Sequence, residues 1–177
     1  VPDETAFAGT FEELALPLFD SLYNFACWLT HNRDEAEDLV QETYAKALKG
    51  FSSFRQGTNF RAWIYRIMRN AFLNSRTGLK AAPTVSLDAE EAQPALPVEP
   101  DTPETLQLER ADQELVQSAM EELPLISREI LLLCEVEEMT YQEASEALSI
   151  PMGTVMSRLA RARRALGEAV RAKLKRN

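Results

Sequence analysis

Residues Thr140–Leu166, TYQEASEALSIPMGTVMSRLARARRAL, read as two short helices joined by a tight turn. Thr140 and Glu143 make a capping box, in which each side chain satisfies the other's backbone amide. Ala144, Ala147 and Leu148 form a small apolar face on the first helix. Ser149-Ile150-Pro151 ends it, because proline cannot continue a helix. Gly153 and Thr154 restart the chain, with Thr154 the expected N-cap. Val155, Leu159, Ala162 and Leu166 recur at i, i+4, i+7 and i+11, one buried stripe. Ser157, Arg158, Arg161 and Arg164 fall off it. A helix–turn–helix of this kind places its second helix in the DNA major groove, with N-terminal residues on base edges. An ordinary helical hairpin with a solvated basic face has the same local pattern, so the rest of the chain must separate the two.

Charge is the first discriminator. The 177 residues suit one or two small domains, and 45% apolar content is enough for packed cores. The net charge of −9 looks wrong for a nucleic-acid binder, but the average hides the pattern. Arg55–Lys80 holds six basic residues and no acid; Arg158–Arg176 holds eight and the single acid Glu168. Two basic blocks in an acidic chain point to two separate anionic contacts. No apolar run reaches the roughly 18 residues of a membrane helix. The acidic start lacks the basic-then-apolar order of a signal peptide, so a cytoplasmic protein without membrane insertion is expected. Cys27 and Cys134 stand far apart in apolar helical contexts and read as buried free thiols. His31 lacks partners at metal-ligand spacing and reads as a helix-end residue; no metal and no cofactor are expected.

In chain order, residues 8–31 read as a helix with Pro17 as a kink or boundary, its core side being Phe11, Leu14, Leu18, Leu22, Phe25 and Leu29. Asn32–Lys49 is a second helix, opened by Asn32 and Glu35 in a further capping box. Ala36, Leu39, Val40, Thr43 and Ala47 define its inward stripe, while Asp38, Gln41, Glu42 and Ala45 lie on another face. From spacing alone that acidic face is a solvated surface. After the loop Gly50–Phe60, Arg61–Ser75 forms a helix with two characters. Trp63, Ile64, Ile67, Met68 and Ala71 supply an apolar side; Arg61, Tyr65, Arg66, Arg69, Asn70, Asn74 and Arg76 supply bases, amides and an aromatic ring. Bases attract phosphates, and amides and rings hydrogen-bond and stack on unpaired bases. Residues 81–109 hold five prolines, seven acids and no base, the composition of a flexible linker. Helical periodicity resumes over 104–135 with Leu106, Leu108, Leu115, Ala119, Met120 and Leu123, then Pro124 and a helix over Ser127–Val136 capped by Ser127. The chain closes on the basic tail RAKLKRN.

Three stretches carry a resemblance: DEAEDLVQETYAKAL at 34–48, FRQGTNFRAWIYRIMRNAFLNSR at 54–76, and ELPLISREILLLCEVEEMTYQEASEALSIPMGTVMSRLARARRAL at 122–166. In this order and with the acidic linker between, they resemble a bacterial RNA polymerase sigma factor of the extracytoplasmic-function (ECF) subfamily of the sigma-70 family. Thr77, after Arg76, stands where a further basic residue is frequent. The resemblance implies an all-α chain of two small helical domains: 8–80 as sigma region 2, 81–109 as linker, and 110–172 as sigma region 4. It implies that Asp34, Glu35, Asp38, Leu39, Gln41, Glu42 and Ala45 bind core RNA polymerase at the beta-prime clamp. It implies that Gln56, Thr58, Asn59, Arg61, Trp63, Tyr65, Arg66, Arg69, Asn70, Asn74 and Arg76 melt and read the single-stranded −10 promoter element. Thr140, Thr154, Ser157, Arg158, Arg161 and Arg164 then read the duplex −35 element, in a domain that also meets the beta flap. A cognate anti-sigma factor is implied as a further partner. The alternative is a conventional helix–turn–helix regulator that binds duplex DNA as a dimer, which leaves the first basic block and the acidic helix unexplained. An enzyme finds no support, since no cluster of nucleophile, base and orienting group appears.

Overall fold

The computed structural model describes residues 9–77 and 113–176. The linker at 81–109, with Leu106 and Leu108, lies outside the described residues. The chain divides into two compact units, and every regular element among the described residues is helical.

The first unit carries α1 (Phe11–Ala15), α2 (Phe19–Thr30), α3 (Arg33–Gly50) and α4 (Phe60–Thr77). The single helix expected over 8–31 is broken: a 3-10 turn, Leu16–Leu18, separates α1 from α2 around Pro17. Proline has no amide hydrogen for the α ladder, so the chain tightens and restarts there. Thr10 begins α1 with a capping box to Glu13 that periodicity does not announce. His31 ends α2 in the left-handed conformation at φ 52°, its amide donating to the Cys27 carbonyl at 2.9 Å, which is the helix-end role expected. Asn32 caps α3 by accepting from the Glu35 amide at 3.1 Å. The Glu35 carboxylate reaches Arg76 of α4.

α3 packs against both α2 and α4. Its stripe of Ala36, Leu39, Val40, Thr43 and Ala47 is buried as expected. Thr43 enters this core without a stranded hydroxyl, since it donates to the Leu39 carbonyl at 2.7 Å. Leu22, Phe25 and Leu29 come from α2, while Ile64, Met68, Ala71 and Phe72 come from α4. An aromatic cluster at the other end joins Phe51, Phe54, Phe60 and Trp63 with ring centroids 5.0–6.2 Å apart, which anchors the loop before α4.

The second unit carries α5 (Gln113–Glu122), α6 (Leu125–Leu131), α8 (Met152–Arg176) and, as far as Ser145, α7 (Tyr141–Leu148). α6 starts before the expected Ser127 cap. Pro124 occupies the cap position, where the Arg128 amide donates to its carbonyl at 3.0 Å. Proline suits a helix start because the amide it lacks would have had no partner there. α6 then widens into a π turn, Leu132–Val136. α8 packs on α5 and α6 through Val155, Leu159, Ala162, Leu166 and Val170, all buried. The basic tail is not a tail in structure: α8 runs through it to Arg176, and Lys173 pairs with Glu122 of α5.

Candidate nucleic-acid interface

Thr140 and Glu143 make the capping box foreseen for α7, at 3.1 Å for the Glu143 amide to the Thr140 hydroxyl and 2.8 Å for the return contact. Ala144, Ala147 and Leu148 are buried. Ser149 turns the chain at φ 55°, and the Ser145 hydroxyl donates to the Ile150 carbonyl across the turn. The Val155 amide donates to the Pro151 carbonyl at 3.1 Å. Thr154 is therefore not the cap of α8: the helix has started at Met152, so Thr154 sits half-buried inside its first turn.

Of the expected −35 residues, Thr140, Arg161 and Arg164 are exposed. Ser157 is half-buried and donates to the Thr154 carbonyl at 3.1 Å. Arg158 departs from expectation, with only 8% of its surface exposed. It follows Val155 by one helical turn, which puts it on the margin of the buried stripe. Neighbouring Arg163, half-buried, is tied to Glu135. Exposed on the opening turns of α8 are Met152, Gly153 and Met156, residues that charge patterning passes over.

In the first unit, the loop before α4 is a turn built on Arg55, whose carbonyl accepts from the Thr58 amide at 3.2 Å and the Thr58 hydroxyl at 2.6 Å. Gly57 adopts φ +82° with open space around it, so glycine serves the backbone conformation and not a close approach. Asn59 accepts from the Ala62 amide at 3.0 Å, which makes it the cap of α4. Sequence reading missed that role, although Asn ahead of a helix is its signal. Gln56 and Thr58 are exposed, and Arg61 and Trp63 are half-buried, the indole against Phe54 at 5.0 Å.

Tyr65 and Arg69 depart from the expected surface row. Tyr65 is 1% exposed with its ring 5.2 Å from Phe25, and Arg69 is 8% exposed. The buried face of α4 is broader than the alternation suggested: Ile64, Tyr65, Met68, Ala71 and Phe72 cover it, with Arg69 at its border. The exposed row is Arg66, Asn70 and Asn74, at i, i+4 and i+8, with Arg76 below.

On α3, Asp34, Glu35, Asp38, Gln41, Glu42 and Ala45 are exposed and Leu39 is not, at 5%. Leu39 belongs to the inward stripe and lines a cleft of about 270 Å³ between α3 and α4. Asp38, Glu42, Phe72 and Arg76 wall this cleft. Arg76 lies 3.1 Å from Glu35 and over the Phe72 ring at 5.1 Å, while Glu42 pairs with Lys46 at 2.8 Å.

Residues 18–81 match the family described as Sigma-70 region 2, and residues 113–166 match Sigma-70, region 4. The ECF RNA polymerase sigma factor EcfG of Rhodopseudomonas palustris is 35% identical over 81% of this chain and 75% of its own. This chain belongs to the ECF sigma factors.

A second relative, the ECF sigma factor SigE of Mycolicibacterium smegmatis, is 31% identical over 93% of this chain, which spans 66% of that protein's length. The solved structure of the Bartonella quintana sigma factor RpoE, in complex with the anti-sigma factor NepR, superposes at TM-score 0.68 with 29% identity, covering 91% of this chain and 96% of that one. CnrH, solved with the cytosolic domain of CnrY, shares the fold at TM-score 0.63 and 22% identity, covering 93% and 91%. The function is that of a sigma factor: promoter-specific initiation of transcription with core RNA polymerase. The dimeric regulator is overturned, because region 2 covers the half of the chain that such a regulator leaves unexplained. Among the described residues no helix is long and apolar enough to cross a membrane, and no group of acidic, His and Cys side chains is placed to hold a metal.

Proposed function

We propose that the two units divide promoter recognition between them. Residues 8–80 dock on core polymerase and open and read the −10 element, residues 81–109 tether the two units, and residues 110–172 read the −35 element. The observation that carries this division is one exposed row on each unit that carries arginines: Arg66 and Arg76 with the amides Asn70 and Asn74 on α4, and Arg161 and Arg164 on α8. The α4 row has amides suited to unpaired bases, whereas the α8 row flanks a helix–turn–helix suited to duplex.

The acidic face of α3, with Asp34, Glu35, Asp38, Gln41, Glu42 and Ala45, is the docking surface for a basic element of the polymerase clamp. Gln56, Thr58 and Asn59 receive an unstacked base, with the half-buried Trp63 on the following turn of α4. The second unit also meets the beta flap. Taking a base out of the stack costs a few kcal/mol, which binding in a pocket offsets, so no catalytic group is required. Linking two weak contacts on one polymerase raises effective affinity without new contacts. The work is cytoplasmic, where core polymerase and promoter meet. An anti-sigma partner is supported by the RpoE relative, which was solved with one.

Transcription from a genomic library with core enzyme and this protein tests the assignment. A set of start sites sharing two spaced elements is expected. No specific start at any promoter would overturn it.

A further inference from the structure

The opening turns of α8 are apolar where they are exposed. Met152 and Met156 are 39% and 45% exposed, and Gly153 beside them leaves open space where a side chain would stand. The two methionines are one helical turn apart, so they share an edge of the helix. Both precede the exposed Arg161 and Arg164. Arg158, the arginine nearest the helix start, is buried, and Thr154 and Ser157 are half-buried, the Ser157 hydroxyl held by a backbone carbonyl. The part of a recognition helix that meets base edges is its N-terminal part. Here that part presents thioether side chains and little hydrogen-bonding capacity.

We infer that Met156, supported by Met152, is a specificity-determining residue that reads thymine methyl groups in the −35 element. In the major groove only thymine carries a methyl at its C5 position, and apolar side chains are its partners. Methionine suits the task, being long, unbranched and polarizable. The occupant of this apolar edge is duplex DNA because the same helix continues into a strongly basic run. Arg161, Arg164, Arg171, Lys175 and Arg176 of that run are exposed, complementary to phosphates. A guanine, read best by a bidentate Arg or Lys, finds no such group at this edge.

The inference rests on the −35 assignment to the second unit, and one experiment separates the two. The probes are duplex fragments of a promoter recovered with holoenzyme from the genomic library, carrying deoxyuridine for thymidine at one −35 position at a time. Uracil removes the methyl and leaves the hydrogen-bonding groups unchanged. For wild-type holoenzyme, affinity is expected to fall about threefold to fivefold at one or two positions, the worth of one buried methyl. In the Met156→Ala holoenzyme the same replacement is expected to cost less than about twofold. A −35 element without thymine on either strand, no uracil effect at any position, or an unchanged effect in Met156→Ala would overturn the inference. Scrambling the whole −35 element is the control on the underlying assignment: if binding does not change, that assignment fails first. Met156 is exposed, so its truncation leaves the core intact, which an unchanged melting temperature checks.

Discussion

Asn59 shows how one side chain combines two duties. Its carboxamide oxygen caps α4, and it stands in the 56–59 loop proposed to receive a base. Asn59→Ala is expected to lower stability by about 1 kcal/mol and to slow open-complex formation. Asn59→Ser keeps a capping oxygen but loses the amide, so it is expected to melt near the wild-type temperature and still open duplex promoters slowly. If it opened them at the wild-type rate, the loop would be structural only. Arg161 is the cleaner probe of −35 contact than Arg158, because Arg158 is buried and its loss would report folding. Arg161→Ala is expected to weaken holoenzyme binding to −35 duplex about threefold to tenfold with core binding unchanged; an equal loss of core affinity would contradict the division of roles. Cys134 is half-buried, and burial, with Glu135 beside it, pushes its thiol up to about 11. The thiolate is therefore scarce at pH 8, and alkylation there should run roughly a hundredfold slower than in the unfolded chain. The linked stability is present below about pH 9 and is lost as pH rises toward about 11, since the unfolded chain gives up its proton first. Alkylation at equal rates in folded and urea-unfolded protein would refute the burial argument.

Among the elements, α7 has only eight residues, so its ends matter. An isolated helix this short is not stable in water. It is held by the Thr140–Glu143 box, the Ser145 contact across the turn, and the burial of Ala144, Ala147 and Leu148. Thr140→Ala is expected to cost about 1 kcal/mol, a fall of several degrees in the melting temperature of a unit this size. Thermal melts monitored by circular dichroism check it, and an unchanged midpoint would mean that packing alone holds α7. In α3 the same logic separates two faces. The inward stripe was legible because apolar residues repeat at helical spacing. Leu39 lies between the two faces in spacing, and burial places it in the core.

For the chain as a unit, the acidic total and the two basic blocks predict a protein that binds promoter poorly by itself. Core polymerase turns two weak contacts into one linked interaction, worth about 10²- to 10⁴-fold in affinity. Titration of a promoter duplex with free protein and with holoenzyme measures this directly. A free protein that bound as tightly as holoenzyme would remove the need for linkage. Element order and helical class were legible because they rest on local signals, caps, prolines and periodicity, whereas the family was legible only through the resemblance of three motifs in a fixed order.

Local spacing was enough to set the helices, the helix–turn–helix and the stripe that holds α8. Each of these depends on intervals along one stretch of chain, which the residues carry wherever that stretch lies. Which polar residues stay at the surface was settled only by packing. Tyr65, Arg69 and Arg158 border apolar stripes, and a neighbouring helix covers a wider arc than periodicity marks. The same packing left Met152 and Met156 exposed while it buried Val155 between them. Whether a residue at the edge of a stripe is inside or outside depends on its neighbours in space, and those are not written in its spacing.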